Sequence, residues 1–201
     1  MHMQSKILIG LTGGIGSGKS VAGDYLKSRG YCVINADEET KKLYVSDRKL
    51  RDKLIHLFGN GILSDNGEIS TEKMRKIIFA NRQNLKRVNA VVHPFAINKI
   101  NSLAEEASSE IVFVESAILF ESGYYKFCYY NVLIYSYKYL RIARVSERDG
   151  VSRRSVEKII GLQMPEIDKS RYADFIIYNN STRKDFIKAL GVFLSMLKYI
   201  L

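Results

Sequence analysis

Near its N-terminus the chain reads Leu8-Ile9-Gly10-Leu11-Thr12-Gly13-Gly14-Ile15-Gly16-Ser17-Gly18-Lys19-Ser20. An apolar strand runs into the spacing G-x-x-x-x-G-K-S, and a helical pattern follows. Strand, glycine-rich loop and helix in that order form a phosphate-binding loop in the context it requires. The glycines let the backbone curl so that successive N–H groups point at one anion. The following helix adds partial positive charge at the same place. The expected triphosphate cradle is Gly13, Gly14, Ile15, Gly16, Ser17, Gly18, Lys19, Ser20 and Val21. Lys19 supplies a full charge for the β- and γ-phosphates, and the Ser20 hydroxyl is placed to ligate Mg²⁺. The loop specifies a nucleoside triphosphate with magnesium; it does not specify what becomes of the phosphate.

Beyond the loop, apolar runs and helical patterns alternate. The runs Lys6–Thr12, Tyr31–Ala36, Ile111–Glu115, Val132–Ser136 and Phe175–Tyr178 are short, nearly continuous and rich in Ile, Val and Tyr. Strands buried on both faces of a parallel sheet have this composition. Helical patterns cover about Gly18–Arg29, Glu39–Phe58, Thr71–Ala80, Asn81–Ala107, Tyr139–Arg148, Ser152–Leu162 and Arg183–Leu201. The expected fold is an α/β, doubly wound, parallel five-stranded sheet. Ligands of such sheets bind at the carboxyl ends of the strands, where the loop, Asp37 and Glu115 fall. The long helical stretch between the second and third strands either covers a second substrate or only packs on the core. At 201 residues the chain reads as one domain, 1–201.

Composition narrows the partners. No apolar run approaches the roughly 18 residues of a membrane span, so no membrane partner is expected. The N-terminal apolar run leads straight into the loop and reads as core strand, not signal peptide. Cys32 and Cys128 form no framework pattern, and reduced thiols in a cytoplasmic protein fit best. The net charge of +10 is spread along the chain, without zinc-ligand spacing or a basic aromatic repeat. It suits an enzyme of polyanionic small molecules, and no nucleic acid is expected as principal substrate.

Several side chains sit where chemistry needs them. Val33-Ile34-Asn35-Ala36-Asp37 carries an acid to the end of the second strand. Transfer of a phosphoryl group to a hydroxyl needs a proton acceptor, and Asp37 can serve; it can equally cap the next helix. Ile111-Val112-Phe113-Val114-Glu115 ends in an acid that could hold Mg²⁺. His93-Pro94 reads as the opening of a helix, with Pro at its first position. Arg141, Arg144 and Arg148 share one helical face, either as a lid over the triphosphate or as a solvated surface. Asn179 and Asn180 leave the last strand where an amide could read an adenine edge, or where a turn begins.

In this order the pieces resemble the dephospho-coenzyme A kinase family from about Ile7 to Ser181. The resemblance rests on Leu11–Ser20, Ala36-Asp37, Ile78-Phe79-Ala80-Asn81, His93-Pro94, Ile118-Leu119-Phe120-Glu121, Arg148-Asp149, Gln163, Ala173-Asp174 and Asn179-Asn180. It implies a P-loop kinase fold that phosphorylates the ribose 3′-hydroxyl of dephospho-coenzyme A with ATP and Mg²⁺. It implies Asp37 as catalytic base, with Lys19, Arg144 and Arg148 around the moving phosphoryl group. His93, Pro94, Leu119 and Glu121 would belong to the acceptor pocket, and Arg144 and Asn180 to the ATP site. Residues 38–110 would form a helical acceptor-binding region and residues 138–170 an Arg-rich lid. The enzyme would work in the cytoplasm as a monomer or weak homo-oligomer. Four positions depart from the family pattern: Asn35 where a first Asp is common, Val21 for Thr, Ala117 for Pro, and Glu115 for Asp. Two rivals remain: another P-loop nucleoside or nucleotide kinase, and a nucleotide switch or nucleic-acid-stimulated ATPase. The guanine-reading Asn-Lys-x-Asp of a GTPase is absent from the sequence.

Overall fold

The structure is a computed structural model that describes residues 6–80 and 82–201. Asn81, the last residue of the Ile78-Phe79-Ala80-Asn81 element, lies outside them. The strands are β1 (Ile7–Thr12), β2 (Cys32–Asn35), β3 (Ile111–Glu115), β4 (Tyr130–Tyr135) and β5 (Phe175–Tyr178). They form one sheet in the order β2-β3-β1-β4-β5. β1 lies parallel to β3, with Ile9 opposite Phe113, and parallel to β4, with Leu11 opposite Val132. β4 and β5 are also parallel. The chain first fills one side of β1, with β2 at the edge and then β3 between them, and afterwards builds outward on the other side. The phosphate loop therefore leaves the sheet where the winding reverses, the position at which doubly wound sheets bind ligands.

The chain divides into two compact units. The first, the chain up to Ile34 with Ala107–Leu201, contains the sheet. Ile9, Leu11, Phe113 and Ile134 meet Leu26 of α1 (Lys19–Ser28) and Phe186 of α9 (Arg183–Ile200) in one buried cluster. These strands are continuously apolar because both faces are covered. A capping box starts α9: Thr182 accepts from the Asp185 N–H, and the Asp185 carboxylate accepts from the Thr182 N–H. Its apolar residues enter the core, and no helix among the described residues is long and apolar enough to cross a membrane.

The second unit, Asn35–Glu106, holds α2 (Ala36–Ser46), α3 (Arg48–Phe58), α4 (Thr71–Ala80) and α5 (Arg82–Glu106) around its own core of Leu43, Leu50, Leu54, Met74, Val88 and Val92. The single helix expected over Glu39–Phe58 is two. Asp47 has an extended backbone, ends α2, and caps α3 by accepting the Leu50 N–H at 2.9 Å. Nor does His93-Pro94 open a helix, because α5 runs through it. Proline removes one intrahelical bond, the one Ala90 would accept, but Ala90 and Pro94 lie on the exposed face. The apolar stripe Val88, Val92, Ala96 stays buried across the interruption and holds the helix together.

Smaller differences have local causes. β2 stops at Asn35, not Ala36, because Asn35 caps α2. β4 begins at Tyr130, not Val132, through its register with Ile9 of β1. The later helices are α6 (Lys138–Asp149), α7 (Arg153–Ile160, capped by Ser152) and a short, unexpected α8 (Glu166–Lys169).

Two measurements probe these cores. Phe113 is fully buried and meets Tyr31 edge-on at 5.4 Å. Phe113→Ala should cost about 3–5 kcal/mol in urea denaturation, and an unchanged midpoint would remove it from the core. In the helical unit, burial holds the His93 imidazole below its ordinary pKa. The unfolded chain therefore binds the extra proton first. Stability should fall as pH drops from 7 through the unfolded His value of about 6.5, by at most about 1.4 kcal/mol per pH unit. His93→Gln should flatten that slope relative to the wild type, and an unaltered slope would sink the assignment.

Candidate active site

The phosphate loop curls as its motif requires. Gly16 has φ of 76°, in the left-handed region, and a Cβ there would lie 2.6 Å from the Arg141 carbonyl. The loop carbonyls turn outward and are tied down one by one. The Ser17 N–H donates to Gly14 O at 3.1 Å, Arg141 Nε to Ile15 O at 2.9 Å, and Asn179 Nδ2 to Ser17 O at 2.8 Å. Ile15 itself packs against the small cluster of Ile142, Val145 and Val156 from α6 and α7.

The ends of β4 and β5 brace this arrangement. Ser136 Oγ donates to Asn179 O at 2.9 Å. Arg144 donates to Ser136 Oγ at 2.9 Å and to Asn179 O at 3.0 Å. Asn180 Oδ1 accepts the Tyr137 N–H at 2.9 Å, fixing the start of α6. The asparagines expected to read a base thus carry structural bonds on the atoms named. Arg148 forms a forked pair with Asp149 at 2.6 and 2.8 Å on the exposed end of α6. The three arginines of one helical face have separate fates: on the loop, on the strand ends, and at the surface.

Ser20 Oγ donates to Glu115 Oε1 over a long 3.5 Å, bringing a hydroxyl and a buried carboxylate to one place beside Lys19. These are hard oxygen donors of the kind that suit Mg²⁺, which takes one or two carboxylates and completes its shell with water and phosphate. Among the described residues no group of three or more His, Cys, Asp or Glu could hold a metal. An ion at Ser20 and Glu115 would draw its remaining ligands from phosphate and water.

Sequence reasoning named Arg141, Gln163, Leu119 and Glu121 but missed Glu166, Lys169 and the contacts that join them. Arg141 is buried, and Glu166 meets it with Oε1 at 3.2 Å from Nη1. Burial lowers the pKa of Arg141, and Glu166 opposes that shift. Glu166 Oε1 also accepts the Gly14 N–H at 2.8 Å, and Gln163 Oε1 accepts the Ile15 N–H at 3.0 Å. Lys169, fully buried, anchors this segment by donating to Ala117 O at 2.7 Å and pairing with Glu121 Oε1 at 3.3 Å. The same Glu121 oxygen accepts the Met164 N–H at 2.8 Å. Leu119 is fully buried. No local signal marks these contacts, since the partners lie far apart in sequence; the pattern of Arg141 on one face with Arg144 was the nearest hint.

The remaining expected residues belong to the helical unit. Asp37 is not the cap of α2: Asn35 is, accepting the Glu38 N–H at 3.1 Å. Asp37 stands in the first turn, two residues beyond the end of β2, where a carboxylate favours the helix dipole. His93 is half-buried, with its Nε2 unpartnered among the described residues, and Pro94 is exposed.

Comparison with known proteins places the chain in a family. A family model described as dephospho-CoA kinase matches residues 7–185. A dephospho-CoA kinase of Fusobacterium nucleatum is 37% identical over 190 residues, covering 94% of this chain and 97% of the relative. The crystal structure of TT1252 from Thermus thermophilus superposes with a TM-score of 0.81 at 30% identity, covering 96% of this chain and 98% of the other. A dephospho-CoA kinase structure from Campylobacter jejuni gives a TM-score of 0.68 at 25% identity, covering 94% and 96%. With the loop, the sheet order and matches over nearly the whole length in agreement, the chain belongs to the dephospho-CoA kinase family.

Proposed function

We propose that this chain transfers the γ-phosphoryl group of ATP to the ribose 3′-hydroxyl of dephospho-coenzyme A, giving coenzyme A and ADP in the last step of coenzyme A biosynthesis. The observation that carries this reading is a phosphate loop at the reversal point of the sheet, with Ser20 and Glu115 together, in a chain matched to the family over residues 7–185.

The loop N–H groups and Lys19 hold the β- and γ-phosphates and keep them in line. Ser20, with Glu115 behind it, would hold Mg²⁺, which supplies positive charge to the phosphate oxygens when bound. Asp37 orients the acceptor hydroxyl and takes its proton. Residues 38–110 receive the acceptor, with His93 and Pro94 in its pocket; burial that lowers the His93 pKa supports a role as a polar contact. Leu119 and Glu121 also serve acceptor binding. Residues 138–170 act as the lid. Arg144 and Arg148 then leave their partners at Ser136 and Asp149 to meet the charge spread over the transferring group. Asn180 and Val21 lie on the nucleotide side. The enzyme works in the cytoplasm, as a monomer or weak homo-oligomer.

The test is ADP release with ATP and Mg²⁺ over a panel of acceptors. Turnover with dephospho-coenzyme A alone, with coenzyme A as product, is expected; turnover with another nucleoside or nucleotide, or with added DNA or RNA, would replace this reading. Asp37→Asn should lower kcat on the order of 10²–10⁴-fold with the KM for ATP nearly kept, and an unchanged kcat would remove Asp37 as base.

A further inference from the structure

Two backbone donors of the phosphate loop are already in use. The Gly14 N–H donates to Glu166 Oε1 and the Ile15 N–H to Gln163 Oε1. The same Glu166 oxygen lies 3.2 Å from Arg141 Nη1, and both side chains are nearly buried, 10% and 4% exposed. A carboxylate oxygen held between a loop N–H and a guanidinium has the surroundings that a phosphate oxygen takes. Its second oxygen, Oε2, is buried without a partner among the described residues. An unpartnered buried carboxylate oxygen weakens the seated state and leaves the contact displaceable. The carboxylate does not reach the loop by chance. Lys169, three residues on and fully buried, ties α8 to Ala117 O and Glu121, so Glu166 meets the loop at high effective concentration.

We propose that Glu166 is an internal competitor of nucleotide phosphate: it occupies the Gly14 N–H and neutralises Arg141, and nucleotide binding transfers Arg141 from Glu166 to the phosphates. The inference rests on the phosphate-loop reading of Gly13–Ser20. The nucleotide meets a loop that already holds one negative charge, so its apparent affinity is lower than that of the loop cleared of it. Glu166 thereby sets nucleotide affinity. Glu166→Gln isolates the effect, because the amide oxygen can still accept the Gly14 N–H while the charge is gone.

The experiment is titration of ADP, and separately of inorganic triphosphate, into the wild-type protein, Glu166→Gln and Gln163→Glu, with folding checked by circular dichroism. Glu166→Gln should bind both ligands roughly tenfold more tightly, the scale of one screened like charge removed at close range. Gln163→Glu, which adds a carboxylate at the Ile15 N–H, should weaken both. The two variants move in opposite directions only if charge on the loop is what counts. Unchanged or weaker binding by folded Glu166→Gln overturns the proposal; if that variant does not fold, unchanged or tighter binding by Gln163→Glu does so. Absence of ADP binding by the wild type overturns instead the phosphate-loop reading beneath it.

Discussion

A backbone loop that aims its N–H groups at one point must turn its carbonyls away, and each carbonyl then needs a donor elsewhere. Much of the sheet-bearing unit answers that need. Gly14 O takes the Ser17 N–H, Ile15 O takes Arg141, and Ser17 O takes Asn179. Asn179 comes from the end of β5 and Arg141 from α6, so the loop is braced by segments more than a hundred residues away. Arg144 and Ser136 converge on the Asn179 carbonyl and steady the brace itself. These loop carbonyls are thus held from outside the loop's phosphate face, the kind of preorganisation on which electrostatic stabilisation of a phosphoryl group draws.

The loop, the sheet class and most helices were legible in the sequence because each carries its signal locally. Continuous apolar runs mark strands covered on both faces, and the glycine spacing marks the loop. The break at Asp47 was also written locally, in a residue that favours N-cap positions, but the apolar periodicity on both sides concealed it. Pro94 misled for the opposite reason: a strong breaker stands on the exposed face of a helix whose buried stripe continues past it. Tertiary packing outweighed the one lost bond.

The site was legible only in part. Ser20 and Glu115 were placed by motif and strand end, and they meet. Arg141, Gln163, Glu166 and Lys169 act through partners between 25 and 152 residues distant, a relation that spacing does not encode. Arg144 and Arg148 look equivalent on a helical wheel, yet one is committed to strand-end oxygens and the other to its sequence neighbour. The helical unit adds a further division: Asp37, His93 and Pro94 belong to a body with its own core.

Gly23 lies inside α1, where glycine is normally a weakness worth roughly 1 kcal/mol against alanine. A methyl group there would stand 2.8 Å from Glu115 Oε2. The helix has given up propensity so that a carboxylate can lie against it beside Ser20. A routine programme of helix stabilisation would choose this glycine for replacement by alanine. The substitution would gain local helicity only by shifting the acid beside Ser20, so the easiest way to make this helix sturdier is also a way to disturb the end of the phosphate loop.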